Sequence, residues 1–199
     1  PTEELQEYYS KSIYSTAFSV SISQKGRVIF FDATVSFINP KYIVEQLLKT
    51  EKCLKIVWLV KSMEEAKSLP EHVEPCRINT IKSIYHLATA KFWIDNCRKN
   101  FHHKRKKQIY IQTWHGFALK RIERDVADHL SEGYVRGAIK DSKAIDIIIS
   151  DSAFMTDLYK KIFWYEGEVV EWGSPRNDIL IKGDSSISSK VREYYNIGK

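Results

Sequence analysis

The chain has 199 residues, of which 43% are hydrophobic and 28% are charged, and this balance excludes a disordered or a fibrous protein. No apolar run approaches the roughly 18 residues of a membrane-spanning helix, and the first ten residues are too acidic and polar for a secretory signal, so we expect a protein that is soluble or lies on a membrane surface. The net charge of +6 equals the six Lys and Arg residues of segment 98–107, so the chain has one basic loop and is otherwise neutral.

The first half of the chain alternates between strand and helix patterns. Short runs rich in β-branched and aromatic residues predict strands at 27–32, 54–60, 73–78 and 91–95. Helical patterns lie between them, at 40–49 after Pro40, at 62–69 and at 80–89. The run 54–60 (LKIVWLV) is almost continuously apolar, which is typical of a strand covered on both faces.

The second half begins with a strand at 108–114, followed by a polar stretch to about residue 144 that we predict to be helical. The alternation then resumes with a strand at 145–150, a helix at 153–163 and a strand at 168–173, and the tail from 184 holds a short helix. Strands that alternate with helices at this spacing predict a doubly wound, Rossmann-like parallel α/β sheet. We expect an N-terminal segment at 1–26 and one domain at 27–180.

Three polar clusters follow predicted strands and therefore lie at the carboxyl edge of the sheet, where ligands of such folds bind. The first is Trp114, His115 and Gly116, in which an imidazole suited to proton abstraction stands beside a glycine that permits a sharp turn. The alternative for His115 is a structural histidine that is hydrogen-bonded at a strand end. The other clusters are 150–152 and 173–178.

The second and third clusters each combine a capping pattern with an anion-binding one. Ser150, Asp151 or Ser152 can cap the next helix, either for stability alone or to present its N-terminal amides to an anion. In the third cluster Arg176 can bind phosphate in a bidentate manner, and Asn177 and Asp178 can cap the following helix.

Other classes of site are disfavoured. The chain has neither GxGxxG nor GxxxxGK[ST], which argues against nicotinamide and P-loop enzymes. Its cysteines, at 53, 76 and 97, are too far apart for a zinc site, so we expect reduced thiols and no metal or other cofactor. The basic loop contains a single aromatic residue, Phe101, which disfavours nucleic-acid binding and leaves either an anionic membrane surface or simple solvation as its role.

Three longer motifs resemble, in the same order, a known enzyme family. They are IQTWHGFALKRIERD at 111–125, ISDSAFMTDLYKKIF at 149–163 and EWGSPRNDIL at 171–180. They resemble the CDP-glycerol glycerophosphotransferases, which build poly(glycerol phosphate) for bacterial teichoic acids and capsules. The first motif is typically QTWHGTPLKKIGRD in that family, so Phe117 and Ala118 replace Thr-Pro here, and Glu123 stands where Gly is common. The resemblance extends over about residues 27–199.

The resemblance implies the N-terminal, acceptor-side half of a glycosyltransferase-B-type fold, in which 181–199 leads towards a C-terminal half that holds most of the nucleotide donor. It implies transfer of glycerol phosphate from CDP-glycerol to the terminal hydroxyl of a lipid-linked polymer, with release of CMP. His115 would then be the catalytic base. The implied substrate-binding residues are Trp114, Gly116, Lys120, Asp151, Ser152, Arg176, Asn177 and Asp178.

The lipid-linked acceptor also implies a place for the basic loop. We expect its cations to hold a cytoplasmic enzyme on the inner face of the bacterial membrane; they are Arg98, Lys99, Lys104, Arg105, Lys106 and Lys107. Lys120, Arg121 and Arg124 follow the histidine motif on a predicted helix, where they either meet the polymer or face solvent. The alternatives to a glycerol-phosphate polymerase are a relative that uses CDP-ribitol or adds a single priming unit, and a non-catalytic module that binds membrane or polymer.

Overall fold

The computed structural model describes residues 27–31, 39–51, 53–99, 104–183 and 185–198. Seven strands form one parallel sheet in the order β3-β2-β1-β4-β5-β6-β7. They are β1 (Arg27–Phe31), β2 (Lys55–Val60), β3 (Val73–Arg77), β4 (Phe92–Asp95), β5 (Ile109–Gln112), β6 (Ile147–Ser150) and β7 (Glu168–Glu171). From β1 in the interior of the sheet, the chain runs through β2 to β3 at one edge and then crosses to β4 on the other side of β1. This order is that of a doubly wound sheet, so the predicted fold class is confirmed.

In the part of the chain that the structure describes, six α-helices connect or follow the strands: α1 (Asn39–Thr50), α2 (Ile81–Thr89), α3 (Glu132–Ala144), α4 (Ala153–Ile162), α5 (Asp178–Lys182) and α6 (Ser185–Tyr194). Side-chain caps set the start of three of them, because the hydroxyls of Thr80, Ser131 and Ser152 accept hydrogen bonds from first-turn amides of α2, α3 and α4. No helix among the described residues is long and apolar enough to cross a membrane.

Two segments predicted as helices are not α-helical. The stretch 62–69 contains only the short 3-10 turn Glu65–Ser68, which the Glu65 carboxylate closes by accepting a hydrogen bond from the Lys61 amide. The stretch after His115 is irregular as far as the 3-10 turn Glu123–His129, and α3 begins only at Glu132. The predicted helix under Lys120 and Arg121 was therefore wrong.

The core lies on both faces of the sheet. Along β2, Val57 and Leu59 belong to one buried cluster, and Ile56, Trp58 and Val60 belong to the other. The first cluster includes Met155 and Tyr159 of α4, and the second includes Ile43 and Leu47 of α1. Burial of successive residues on opposite faces explains why β2 reads as a continuous apolar run. The polar clusters follow β5, β6 and β7 and therefore lie at the carboxyl edge of the sheet.

Candidate active site

The chain turns sharply where β5 ends. Trp114 has a φ of 51° and Gly116 has a φ of 148°, so two nearby residues adopt backbone conformations with positive φ. A Cβ at position 116 would lie 3.3 Å from Nη2 of Arg176, so a larger residue there would also require the arginine side chain to shift by a few tenths of an ångström. The turn leaves His115 exposed at the carboxyl edge of the sheet, as predicted from the sequence.

The His115 imidazole rests against buried aromatic rings. Trp114 stacks on it with ring centroids 4.4 Å apart, and the indole also contacts the Phe163 ring at 4.7 Å. Trp114 is only 6% exposed, and Phe163 is buried. The structure thus places Trp114 behind the imidazole, where it supports His115 from the core. The substrate contact of Trp114 that the resemblance implies stays a prediction.

Arg176 meets His115 from another loop. It lies in the 3-10 turn Pro175–Asn177 that follows β7, and its Nη1 donates to the backbone carbonyl of His115 at 3.2 Å. The pKa of His115 is lowered, first because the ring is partly desolvated and second because the Arg176 cation is close. Both effects disfavour the imidazolium, so His115 is neutral near pH 7 and can accept a proton.

The start of α4 completes this edge of the site. Of the three predicted capping residues, Ser152 is the cap, and its Oγ accepts from the Met155 amide at 3.3 Å. Asp151 is exposed just before the helix and accepts a hydrogen bond from Ser152 Oγ. Burial is the main cause that raises the pKa of Tyr159; the Asp151 carboxylate raises it further, and the Arg176 cation lowers it. Both charged groups therefore lie near the phenol of Tyr159.

Asn177 and Asp178 do not cap the helix that follows them. Asn177 already has helical φ and ψ angles of −86° and −11°, and its side chain makes no capping hydrogen bond. Asp178 is the first residue of α5 and pairs with Lys182 at 3.6 Å. Burial raises the pKa of Asp178. The capping prediction for this pair was therefore wrong, although both residues follow Arg176 directly.

Sequence reasoning missed Asn39, the first residue of α1. Its side chain is 3% exposed and hydrogen-bonds both the loop after β5 and the loop after β7. The only sign in the sequence is a polar residue before Pro40, where the first strand-to-helix connection ends, and this sign does not reveal the contacts with the two distant loops.

The cations of the predicted membrane loop divide into two groups. Arg98 bonds Glu123 and Asp141, Lys99 pairs with Asp95, and Lys104 pairs with Asp146. These three side chains are 10%, 10% and 14% exposed, so their charges are directed into the fold. The remaining cations, Arg105, Lys106 and Lys107, are exposed. Lys120, Arg121 and Arg124 are exposed as well. Residues 100–103 lie outside the described ones.

The ion pair with Arg98 also explains why Glu123 can stand where glycine is common. Glu123 has a φ of 56°, a left-handed conformation that favours glycine, which is the residue common in the motif that this segment resembles. Its buried carboxylate accepts hydrogen bonds from Arg98 Nε at 3.1 Å and from the Tyr134 hydroxyl at 2.5 Å. These charge-assisted bonds offset the backbone strain.

An exposed aromatic pair lies beside the histidine turn. Phe117 and Phe154 stack with centroids 5.6 Å apart, and they are 52% and 61% exposed. Phe154 is in the first turn of α4, so the pair connects the loop after β5 to the start of that helix. Among the described residues, no group of three or more His, Cys, Asp or Glu side chains is placed to hold a metal ion.

Comparison with known proteins finds a family model that matches residues 13–199; its description is CDP-Glycerol:Poly(glycerophosphate) glycerophosphotransferase. The teichoic acid poly(glycerol phosphate) polymerase of Bacillus spizizenii is 28% identical over 201 residues, which cover 94% of this chain and 51% of the relative. The teichoic acid glycerol-phosphate transferase of Staphylococcus aureus is 25% identical, covering 97% of this chain and 52% of the relative. The chain thus spans about half the length of these two relatives.

Solved structures agree with the fold. A structure of the wall teichoic acid polymerase TagF superposes with a TM-score of 0.77 at 24% identity, covering 98% of this chain and 50% of that one. A TagF variant with CDPG superposes equally well, at 23% identity, over 98% of this chain and 52% of that one. At these identities the likeness extends to the fold of the described sheet and its helices.

Proposed function

Because the chain belongs to the CDP-glycerol:poly(glycerophosphate) glycerophosphotransferase family, we propose that it forms the acceptor-side half of an enzyme that transfers glycerol phosphate from CDP-glycerol. The acceptor is the terminal hydroxyl of a lipid-linked teichoic acid or capsular polymer, and CMP is released. In this proposal the Rossmann-like sheet is one half of a glycosyltransferase-B-type fold. The names of the relatives favour glycerol over ribitol as the polyol of the donor.

His115 has the position and protonation state that the reaction requires of a base. The acceptor oxygen attacks the β-phosphorus of CDP-glycerol and forms a new P–O bond. The P–O bond to the bridging oxygen breaks, and CMP leaves with that electron pair. The acceptor proton passes to the neutral imidazole of His115, whose pKa is lowered by burial and by Arg176.

Arg176 has a second role in this reaction. Its guanidinium lies next to the histidine turn, and a guanidinium is suited to binding phosphate oxygens in pairs. The amides of the first turn of α4 and the helix dipole add positive potential at the same edge. The observation that carries the proposal is the contact between the loops of His115 and Arg176, since it places a neutral base beside a permanent cation.

The proposal is tested in a chimeric enzyme in which this chain replaces the segment that it matches in the Bacillus spizizenii polymerase. We expect His115→Ala to reduce glycerol-phosphate transfer at least a hundredfold, the usual contribution of a general base. Because His115 is exposed, the free energy of unfolding should change by no more than about 1 kcal/mol. Near-normal transfer by the variant would disprove the role of His115, and the length of the product separates a polymerase from a priming enzyme.

Because the proposed acceptor is lipid-linked, we propose that the protein also binds an anionic membrane surface. The surface that makes this contact includes fewer of the basic-loop cations than the six that the sequence predicted. Helix α2 exposes Ile81, Ile84 and Tyr85 at i, i+3 and i+4, which places them on one helix face. The Arg105 guanidinium donates to the carbonyl of Ala88 near the end of this helix. An apolar helix face bordered by exposed cations is the pattern of a helix that lies in a membrane interface. We call it the α2 patch: the exposed side chains of α2 together with Arg105, Lys106 and Lys107.

A further inference from the structure

The two loops that carry His115 and Arg176 share a third residue. Asn39 is buried at the start of α1, and its Nδ2 donates to the backbone carbonyls of Thr113 at 3.2 Å and Trp114 at 3.3 Å. Its Oδ1 accepts from Ser174 Oγ at 3.0 Å and from the Arg176 amide at 3.5 Å. A carboxamide has two N–H donors and two acceptor lone pairs. The hydrogen-bonding capacity of Asn39 is therefore fully used, with one edge of the amide on each loop.

We propose that Asn39 is a positioning residue whose side chain joins the loop after β5 to the loop after β7 and so sets the placement of His115 against Arg176. Its bonds on the first side end at the two residues before His115, and one bond on the second side ends at the Arg176 backbone itself. An effect of Asn39 on catalysis rests on the proposed function, whereas its effect on the placement of the two loops does not.

Asn39 is itself held firmly, which a positioning residue must be. It begins α1, and Pro40 follows with its backbone φ restricted by the ring. Ile43, Val44 and Leu47 of the same helix are buried against the sheet. The helix therefore presents the amide from a rigid element, and the two loops are fixed relative to the sheet by bonds that span 74 to 137 residues of sequence.

The alternative is that Asn39 only satisfies buried backbone groups and contributes to stability. A matched control separates the two roles. Gln108 is also a buried carboxamide, with Nε2 donating to the carbonyls of Leu87 and Ala90 and Oε1 accepting from the Arg105 amide. It precedes β5 and so lies at the opposite, amino end of the sheet. Asn39→Leu and Gln108→Met each replace a buried amide with an aliphatic group of similar size.

The first measurement is the pKa of His115, followed by NMR of the imidazole in this chain. Loss of the Asn39 bonds should let the two loops separate, which hydrates the partly desolvated ring of His115 more fully and moves Arg176 away. Both changes raise the pKa of His115 towards that of an ordinary histidine. Arg176 is the charged group that acts on the pKa of His115. We expect the rise in Asn39→Leu and not in Gln108→Met, although both variants should be less stable than the parent.

Ser174→Ala serves as a milder second variant, since it removes one hydrogen bond and leaves the buried amide in place. It should raise the pKa of His115 in the same direction by a smaller amount, and it decides the question if Asn39→Leu does not fold. In the chimeric enzyme, Asn39→Leu should lower kcat about tenfold to a hundredfold, the cost of a small misplacement of reacting groups, with less effect on KM. Gln108→Met should leave kcat within about twofold of the parent.

The outcomes distinguish the two proposals. A raised pKa in Asn39→Leu or Ser174→Ala supports the positioning role even if the chimera shows no transfer, which would count against the proposed function alone. A folded Asn39→Leu protein whose His115 pKa equals that of the parent overturns the positioning role, as does an equal rise in Gln108→Met. If Asn39→Leu does not fold, an unchanged pKa of His115 in Ser174→Ala overturns the positioning role.

Discussion

His115 and Arg176 influence one another in two ways, through a hydrogen bond and through charge. The guanidinium bonds the backbone carbonyl of His115, which holds the arginine beside the turn, and its positive charge disfavours the protonated imidazole. A base with a lowered pKa remains neutral at a pH where an ordinary histidine is partly protonated. The pair thus keeps the imidazole of His115 neutral further into the acidic range.

This coupling predicts a specific pH dependence. The kcat/KM of the chimeric enzyme should rise with pH as His115 loses its proton and then level off. We call the rising part of this profile its acidic limb. In Arg176→Gln the cation is gone, the pKa of His115 rises, and the acidic limb of the profile should move to higher pH. The overall rate should also fall because a phosphate contact is lost, so the midpoint of the limb is the measured quantity.

Arg136→Gln is the control for this measurement, since Arg136 is an exposed arginine of α3 that pairs with Glu132 at 3.1 Å. It should leave the acidic limb where it is in the parent. An acidic limb that stays in place in Arg176→Gln would show that the Arg176 charge does not act on the titrating group, or that this group is not His115.

At the residue scale, the sequence identified the side chains at the site but not how they are held. His115, Ser152 and Arg176 were found because each follows a strand signal and belongs to a recognisable polar cluster. Asn39 and the support given by Trp114 were not, since both depend on contacts with loops or rings distant in the chain. Side-chain hydrogen bonds between distant segments leave no periodic trace in the sequence.

The elements themselves were more predictable from sequence than the loops. All seven strands lie within the predicted ranges, because β-branched and aromatic runs between polar turns are a strong local signal. The segment after His115 was mispredicted because positive φ angles at Gly116 and Glu123 interrupt it. At Glu123 that conformation is compensated by Arg98, which approaches from the connection after β4 and is 25 residues away in sequence.

The same pairing changes which residues of the basic loop can act on a membrane. Arg98, Lys99 and Lys104 are paired with carboxyl groups of the fold and are largely buried, so the cations of this loop that are free to meet an anionic surface are Arg105, Lys106 and Lys107. Each of these is worth about 1 kcal/mol close to such a surface. Three charges give a weak attraction, and in the proposed membrane contact the exposed apolar face of α2 would supply the second contribution that stable binding needs.

We therefore predict that binding to vesicles of anionic lipid, free of acceptor polymer, requires both parts of the α2 patch. Replacing Lys106 and Lys107 by Ser should release the protein at moderate salt, because the attraction falls off over about 8–10 Å. Replacing Ile84 and Tyr85 by Ser should release it at low salt as well. Sedimentation with the vesicles measures both effects.

The control replaces Lys41 and Lys49 of α1 by Ser. Helix α1 packs on one face of the sheet, whereas Ile78, Leu87 and Ala90, in and beside α2, belong to or pack against the buried cluster on the other face. This variant loses the same charge and should sediment like the parent. If the Lys106 and Lys107 variant sediments as well as the control, the α2 patch is not the membrane contact, and the proposal of a peripheral location loses its structural support.

At the scale of the whole molecule, the described residues bring an imidazole and a guanidinium together at the carboxyl edge of the sheet. The described site consists of the loops after β5 and β7 and the start of α4, and its polar groups converge on His115 and Arg176. The loop after β1, which holds the dinucleotide in many doubly wound folds, carries no glycine-rich motif in this chain. The resemblance to the family implies that most of the donor site lies in a second half, and the chain spans about half the length of two matched relatives and about a quarter of the length of two others.

We therefore predict that these 199 residues fold by themselves but bind CDP-glycerol only weakly. The two buried clusters on either face of a seven-stranded sheet provide a core that does not depend on another domain. Phosphate contacts from Arg176 and the start of α4 alone, at an open edge and in water, should give a dissociation constant of about a millimolar or weaker. Isothermal titration calorimetry of the chain with CDP-glycerol measures it, and the chimeric enzyme serves as the positive control. Micromolar affinity for the chain alone would place the donor site on this half of the enzyme, and the assignment of the loops after β5 and β7 to the acceptor would have to be reversed.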